Sequence, residues 1–258
     1  MKDYGLVSII TPSYNCARFI GSTIESIQAQ TYRNWELLVT DDCSDDRSVE
    51  VVKRYAAADP RIRLFSLPVN SGAGVARNNS IEKAQGRFIA FCDSDDRWYP
   101  EKLEKQLAFM EESASEVVYS SYMTCDETGK NNGIVVAYKT ISYREICRDD
   151  SIGFLTCIYD TQRIGKVYMP SIRKRQDWAM KILLLQKAAK AVGMLDALAI
   201  YRLRGDSLSN AKIKLVKYNV RVYREVLKMN PVSAWCKFLF DFMPHYLAKR
   251  LRLKIINQ

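Results

Sequence analysis

The first hundred residues alternate between short apolar segments and segments with helical spacing, and this alternation most constrains the fold. The predicted strands cover residues 6–10, 35–39, 62–67 and 88–92. Between the first two, Ile20, Ile24 and Ile27 recur at helical spacing. The fourth strand is apolar throughout, as expected for a strand that is covered on both faces of a parallel sheet. The pattern predicts an α/β fold with right-handed crossovers.

Periodicity is weaker after residue 115, but further elements can still be assigned. We expect strands at residues 117–122, 134–138 and 197–202, with a helix over residues 178–191 before the last strand. Two basic amphipathic helices, roughly 212–229 and 232–253, follow this part of the chain. The sequence therefore predicts one α/β domain with a helical C-terminal tail.

Three carboxylates within four residues follow the fourth predicted strand, in Asp93-Ser94-Asp95-Asp96. Ligands of such sheets bind at the carboxyl ends of the strands, so this turn is a candidate site. Clustered carboxylates repel one another unless a cation offsets their charge, and oxygen ligands suit Mg²⁺ or Mn²⁺. The alternative is a solvated acidic turn in which Asp96 caps the helix that begins near Pro100.

Polar residues also follow the other predicted strands. The pair Asp41-Asp42 can accept hydrogen bonds from a nucleobase or a ribose, or can belong to a loop that caps the next helix. Gly72 and Gly74 precede Arg77 in a loop that lets the backbone approach a ligand. A nicotinamide dinucleotide site stays open on the same glycines, although the third glycine of that pattern is missing.

Two residue types narrow the possible chemistry. His245 is the only histidine, which excludes Ser-His-Asp hydrolysis and histidine-ligated metals. The seven cysteines contain no CxxC pair, so neither a zinc ribbon nor a disulfide framework has support.

No apolar run reaches about 18 residues and no signal-peptide core precedes the first strand, so we expect a cytoplasmic protein.

Together these features resemble the GT-A glycosyltransferases, specifically the family-2 group that builds bacterial surface polysaccharides. The likeness covers about residues 5 to 210 and rests on segments 7–15, 26–32, 35–42, 72–77, 93–96, 175–178, 201–202 and 207–209. Several ordered motifs are far more specific than any one alone. The resemblance implies a Rossmann-like, mostly parallel sheet flanked by helices, here followed by C-terminal amphipathic helices.

The resemblance also implies a division of the chain and roles for named residues. A GT-A catalytic domain spans 1–210, with a nucleotide-binding half at 1–115, an acceptor half at 116–210 and a basic tail at 211–258. The implied nucleotide-binding residues are Pro12, Tyr14, Asp42, Arg77 and Asp95. Asp96, helped by Asp95, would hold the Mg²⁺ or Mn²⁺ that bridges the donor diphosphate.

Asp177 is the implied catalytic base. The acceptor hydroxyl must lose a proton as it attacks, and one base on the face opposite the leaving group gives inversion at the anomeric carbon. The metal offsets the charge that the leaving nucleoside diphosphate gains. The alternative for Asp177 is a helix N-cap. The sequence departs from the family pattern at Gln176, where glutamate is usual, and at Thr40, where an apolar residue is usual.

Positive charge is concentrated in the tail. Residues 212–258 hold 11 basic and two acidic residues, against 28 and 27 in residues 1–211. Apolar residues with helical spacing form a stripe between basic residues: Trp235, Leu239, Phe242 and Tyr246, flanked by Lys237, Lys249, Arg250, Arg252 and Lys254. This is the pattern of an interfacial helix, so we expect a peripheral location on the inner face of the cell membrane. The alternative is that the stripe packs against the catalytic domain.

The expected partners are a nucleotide-sugar donor, a saccharide acceptor that can be lipid-linked, and an anionic membrane surface. Two other function classes stay open. One is a nucleotide-binding module without turnover, in which Asp177 is only a surface carboxylate. The other is a nucleic-acid binder that uses the basic tail, but the tail lacks a recognition motif, so we expect no nucleic acid partner.

Overall fold

A computed structural model describes residues 2–204 and 215–247, and within them ten strands form one sheet. The strands are β1 (Val7–Ser13), β2 (Trp35–Asp41), β3 (Ile62–Ser66), β4 (Phe88–Phe91), β5 (Arg97–Trp98), β6 (Val117–Cys125), β7 (Asn131–Val135), β8 (Thr140–Ser142), β9 (Ile158–Asp160) and β10 (Lys190–Arg202). The helices are α1 (Ile20–Gln28), α2 (Ser48–Ala58), α3 (Ala73–Lys83), α4 (Lys102–Glu112), α5 (Tyr143–Ile146), α6 (Thr161–Ile164), α7 (Gln176–Lys187), α8 (Leu215–Glu225) and α9 (Pro231–Lys237).

The strand order is β3-β2-β1-β4-β9-β6-β10-β5, with β7 on β6 and β8 on β10. The pairs β1–β2, β1–β4, β2–β3 and β6–β10 are parallel, whereas β9 runs antiparallel between β4 and β6. The predicted α/β fold with a mostly parallel sheet flanked by helices is therefore confirmed. The carboxyl ends of β1, β2 and β4 meet at one edge, where the polar residues singled out in the sequence lie.

Helices cover both faces of the sheet, and alternate residues of each strand pack into different cores. Along β2, Leu38 packs in one core, whereas Leu37 and Val39 pack in the other. Ile20 of α1 and Leu103 of α4 belong to the second core. Trp178 of α7 and Ile81 of α3 belong to the first. Burial on both faces explains the continuous apolar strands of the sequence.

Three elements in the second half have boundaries that differ from the prediction. The predicted helix 178–191 ends at Lys187, and β10 begins at Lys190 rather than at 197. Ala191 and Val192 pair with β6, so strand pairing overrides the helical propensity of the alanines around residue 190. The strand predicted at 134–138 is shifted, because β7 begins at Asn131 and ends at Val135. The chain leaves the ladder before Ala137, whose backbone N–H donates to Ser121.

The C-terminal helices pack against α7 rather than standing apart. The Trp178 ring lies 5.7 Å from that of Tyr223 and 5.9 Å from that of Phe242, between ring centroids. α9 continues through a π-helical turn at Phe238–Phe242, and the helical backbone runs on to residue 247. Phe238 is also buried in this contact.

This π-helical turn divides the apolar stripe that the sequence predicts. Phe242 is buried and stacks on Tyr246, whereas Trp235 and Leu239 are exposed. The i→i+5 hydrogen bonding of a π turn widens the turn, so residues at α-helical spacing no longer share one face. The prediction of one continuous face is wrong.

Some sequence predictions fall outside the described residues. These are the 207–209 motif, the start of the basic tail at 211–214, and the flanking cations Lys249, Arg250, Arg252 and Lys254. Within 2–204 and 215–247, no helix is both long enough and apolar enough to cross a bilayer.

Candidate active site

The acidic turn after β4 is held by hydrogen bonds from two other elements. The Thr23 hydroxyl of α1 donates to the backbone carbonyls of Ser94 (3.0 Å) and Asp96 (2.8 Å). Arg202, the last residue of β10, donates its backbone N–H to Asp96 Oδ1 over 3.0 Å and its Nε to the Asp95 carbonyl over 3.0 Å. The turn is therefore fixed between the first helix and the last strand. Asp96 lies within the turn and does not cap α4, whose N-cap position is Glu101.

Asp96 is buried, with a relative exposure of 1%. Burial raises the pKa of its carboxyl well above the ordinary value, and the nearby Asp95 and Asp93 raise it further. The pKa of Asp95 is also raised, by burial and by Asp93, although Arg204 lies 3.5 Å away. The negative charge at this turn is thus poorly compensated by the protein itself, which is the situation that a bound cation relieves.

The chemistry of these oxygen atoms fits a hard divalent cation. Mg²⁺ characteristically takes one or two protein carboxylates and completes its octahedron with substrate phosphates and water. Across residues 2–204 and 215–247, no group of three or more His, Cys, Asp or Glu side chains is arranged to hold a metal ion. Asp96 and Asp95 can supply the one or two carboxylates of a cation site that substrate phosphates complete.

Asp42 lies at the end of β2 and receives two backbone N–H groups from the next loop. Its Oδ1 accepts from Ser71 and its Oδ2 accepts from Gly72, both over 2.7 Å. Gly72 has φ 92° and directly precedes α3, a conformation that favours glycine. Asp42 therefore fixes the start of α3. The neighbouring Asp41 bonds to Ser13 and Ser44 and links β1 to the loop after β2.

The other predicted nucleotide residues lie at the same edge. Pro12 is buried near the end of β1, whereas Tyr14, just beyond that strand, is 49% exposed. Arg77 of α3 is buried, and its Nη2 donates to Asp93 while its Nε has no hydrogen-bond partner. A buried guanidinium N–H without a partner is a donor that a ligand can engage.

A pocket of about 480 Å³ joins this edge to α7. The charged residues that line it include Arg77, Asp93, Asp96, Arg175, Asp177 and Lys181. Asp177 thus shares one space with the acidic turn although 80 residues separate them in sequence. Pro12, Tyr14, Asp42 and Asp95 are not among the lining residues of this pocket.

Asp177 is the second residue of α7 and not its N-cap. The N-cap position is Arg175, which has a left-handed backbone (φ 65°) and no capping side chain. Burial raises the pKa of the Asp177 carboxyl, but the positive charges of Lys181 and Arg77 outweigh this effect, so the pKa lies below its ordinary value. The first turn of a helix also favours a carboxylate. Asp177 is therefore ionised at neutral pH, as a general base must be.

Gln176 brings the start of α7 against α3. A Cβ atom at Gly74 would lie 2.7 Å from the end of the Gln176 side chain, so a larger residue here would require that side chain to move. Gly74, which the sequence placed in a loop that lets the backbone approach a ligand, thus makes room for Gln176. Gln176 is one of the two positions at which the chain departs from the family pattern.

Sequence reasoning missed four charged residues of the pocket: Asp150, Arg173, Lys174 and Lys181. Lys181 lies one helical turn after Asp177, and this i, i+4 spacing on a predicted helix could have suggested the pair. Asp150 lies in a loop, and its contact with α7 depends on the tertiary fold, so the sequence carries no comparable signal for it.

Comparison with known proteins supports what this geometry suggests. A family model described as glycosyl transferase family 2 matches residues 8–166, more than half of the chain. The chain belongs to this family. This glycosyltransferase is 41% identical to Bacillus subtilis TuaG, assigned by name to teichuronic acid biosynthesis, over 95% of this chain and 98% of TuaG. It is 38% identical to Escherichia coli WfgD over 90% of each chain. WfgD is named as a UDP-Glc:α-D-GlcNAc-diphosphoundecaprenol β-1,3-glucosyltransferase.

Solved structures share the fold of this glycosyltransferase. Staphylococcus aureus TarS, solved with UDP, superposes with a TM-score of 0.67 at 22% identity and covers 91% of this chain and 72% of its own. The Pyrobaculum calidifontis mannosyltransferase PcManGT, solved with GDP-Man and Mn²⁺, has a TM-score of 0.68 at 16% identity over 91% and 70%. The predicted GT-A fold and the predicted family-2 membership, with its surface-polysaccharide relatives, are confirmed. The chain is an inverting glycosyltransferase.

Proposed function

We propose that this glycosyltransferase uses Mg²⁺ or Mn²⁺ to transfer a hexose from a UDP-sugar to a hydroxyl of a lipid-linked saccharide, in the synthesis of a bacterial surface polysaccharide. The observation that carries the proposal is the single pocket lined by both Asp96 and Asp177. A donor diphosphate near Asp96 and an acceptor hydroxyl near Asp177 can meet in that space. Such positioning supplies a large part of the acceleration of a two-substrate reaction.

The nucleotide would lie along the edge formed by β1, β2 and β4. Pro12, Tyr14 and Asp42 would hold the nucleoside, with the exposed Tyr14 ring free to contact the base. Arg77 would donate to the nucleotide through its unpartnered Nε. Asp95 would contact the ribose and help Asp96 with the cation.

The chain's own residues divide the chemistry between the ends of the pocket. When bound at Asp96 and Asp95, the cation offsets the charge that the leaving nucleoside diphosphate gains. The ionised Asp177 carboxylate accepts the proton of the attacking hydroxyl. The new glycosidic bond forms as the bond between the anomeric carbon and the phosphate oxygen breaks, and the released diphosphate keeps the electron pair.

Positive charge beside Asp177 supports an acceptor that carries phosphate. Arg173, Lys174 and Arg175 immediately precede α7, and all three line the pocket. Guanidinium and ammonium groups are the usual partners of phosphate oxygens. The relative WfgD acts, by its name, on a saccharide linked to a lipid diphosphate. A lipid diphosphate next to the accepting sugar therefore suits this side of the pocket.

The direct test is sugar transfer in the presence and absence of metal. With UDP-glucose, a GlcNAc-diphospholipid and Mn²⁺, we expect a glucosylated lipid, and EDTA should lower the rate by about 10²-fold or more. GDP-glucose and dTDP-glucose serve as matched donors and should react more slowly. The measurement is the amount of labelled sugar in the lipid phase. If no UDP-, GDP- or dTDP-hexose is transferred or consumed above the buffer rate, the proposed function is wrong.

We further propose that the C-terminal helices place the enzyme on the anionic inner face of the membrane. Five large apolar side chains are exposed within residues 231–247: Val232, Trp235, Leu239, Phe240 and Leu247. Phe240 is 78% exposed, an unusual state for a phenylalanine of a folded domain. The 212–258 segment also carries a net charge of +9 by sequence. Exposed aromatics next to basic residues favour binding at a lipid interface, where a lipid-linked acceptor would be found.

Replacing Trp235 and Phe240 with serine should weaken membrane binding without unfolding the domain, since both side chains are exposed. We expect at least ~10-fold weaker co-sedimentation with anionic vesicles, because two large apolar groups no longer leave water. The matched control replaces the exposed Ile134 and Val136 of the β7 region with serine. Equal binding of both double variants would exclude this membrane surface. It would also be excluded if the parent did not bind vesicles with about 30–50% anionic lipid, whose surface is negatively charged.

A further inference from the structure

Lys181 is the most buried charged group beside the catalytic base. Its side chain is only 2% exposed, and Nζ lies 3.6 Å from Asp177 Oδ2, one helical turn away on α7. Nζ also donates a hydrogen bond to the Ile152 carbonyl over 2.8 Å. An ammonium group without solvent must be paired on all sides. These contacts fix Lys181 in one position beneath Asp177.

Asp150 is the second carboxylate that contacts the same ammonium group. Its Oδ1 touches Lys181 Nζ, and its Oδ2 lies 3.6 Å from Arg175 Nη1. Asp150 lies in the loop between α5 and β9, so this contact ties that loop to the start of α7. Two carboxylates therefore share one buried cation. A change in either partner alters the charge that the other one experiences.

Charged and titratable groups face Asp177 and Lys181 from several elements. They are Arg77 on α3, Tyr122 on β6, Asp150 and Cys157 in the loop before β9, and Arg175 in the loop before α7. On α7 itself, Asp177 and Lys181 face each other. Burial lowers the pKa of Lys181, but Asp150 and Asp177 more than offset it, so the pKa is raised and the lysine is cationic. Burial and Asp177 raise the pKa of Asp150, whereas Lys181 and Arg175 lower it.

We propose that Lys181 is a positioning residue for sugar transfer: shared between Asp177 and Asp150, it orients the Asp177 carboxylate and keeps it ionised for proton abstraction from the acceptor. This inference rests on the proposed function. Lys181 acts through Asp177 and does not contact the donor, so it should affect turnover and its pH dependence rather than donor binding. Asp150 limits the effect by competing for the same ammonium group.

The sign of the pH effect follows from these charges. Turnover requires ionised Asp177 and is lost as pH falls through the pKa of its carboxyl. Removing Lys181 raises that pKa, so the acid limb of the kcat profile moves to higher pH. Removing the charge of Asp150 frees Lys181 for Asp177, so the limb moves to lower pH. If Lys181 and Asp150 had only a structural role, replacing them would not move the acid limb in opposite directions.

The experiment compares Lys181→Met, Asp150→Asn and the double variant with the parent, at saturating donor and Mn²⁺. For Lys181→Met we expect the acid limb to rise by about 1 pH unit or more, with the KM for donor within about 2-fold. The double variant removes both partners of the buried pair, so it should fold even if the single lysine variant is unstable because Asp150 has lost its lysine partner. In this background the loss of Lys181 should raise the acid limb above that of Asp150→Asn.

Lys187→Met is the matched control, because Lys187 lies on the same helix and its Nζ donates to the Ile164 carbonyl outside the pocket. Its pH profile should equal that of the parent. The inference is overturned if the acid limb of the double variant coincides with that of Asp150→Asn, or if Asp150→Asn moves the limb upward. Failure of the parent to transfer sugar would instead overturn the proposed function, so the two failures are distinguishable.

Discussion

Asp177→Asn is expected to lower turnover by about 10²-fold or more while nucleotide affinity changes little. Asparagine has the size of aspartate but cannot accept the acceptor's proton. Asp177 is the second residue of α7 and supplies no N-cap bond, so the fold should not depend on its charge. Lys181 keeps Asp150 as a partner in this variant. The measurement is the initial rate of transfer at saturating donor and acceptor.

Asp177→Glu is a useful companion because it keeps the charge but moves the carboxylate. It should retain more activity than Asp177→Asn and still fall below the parent, since geometry limits the transfer of the proton. Turnover of Asp177→Asn at the parent's rate would show that another group is the base.

Asp96→Asn is expected to remove metal-dependent donor binding. An amide keeps the oxygen that accepts from the Arg202 backbone, so the turn should survive, but it removes the negative charge that attracts the cation. In Mn²⁺, the Kd for the donor nucleotide should rise by about 10²-fold, to the value of the parent in EDTA. Calorimetry with and without Mn²⁺ provides this comparison.

Asp196→Asn is the matched control, since Asp196 is a half-exposed carboxylate that pairs with Lys105 outside the pocket. It should bind donor and Mn²⁺ like the parent. If Asp96→Asn also binds both like the parent, the cation is held elsewhere.

Asp96→Asn should be at least as stable to heat as the metal-free parent, because it removes a buried and poorly compensated negative charge.

The part of the fold that contains β1 to β4 could be predicted because its signals are local. Apolar strands such as Phe88–Phe91 are followed directly by candidate site residues, and parallel pairing brings the ends of β1, β2 and β4 to one edge. Residues that are adjacent in sequence to a strand end therefore become neighbours in space. The order of elements alone was sufficient to place Asp42 and Asp96 at that edge.

The second half of the chain was less predictable because tertiary contacts decide much of its structure. Asp150 meets Lys181 only when the loop before β9 folds onto α7, and no sequence spacing encodes that contact. The π-helical turn at Phe238–Phe242 shifts the apolar face, a change that a search for α-helical periodicity cannot detect. The early start of β10 likewise depends on pairing with β6. For Asp150 and β10, a distant partner overrides the local pattern.

The proposed roles of Asp177 and Asp96 are tested together by a side-by-side calorimetric titration of UDP and Mn²⁺ into Asp177→Asn and Asp96→Asn. We propose that the acidic turn binds the nucleotide and the metal and that α7 supplies the base, within one pocket. Asp177→Asn should therefore bind UDP with the parent's affinity although it is nearly inactive, whereas Asp96→Asn should lose the Mn²⁺-dependent part of binding. Parent-like binding by Asp96→Asn, or an equal loss of UDP affinity in both variants, would contradict this division of the pocket.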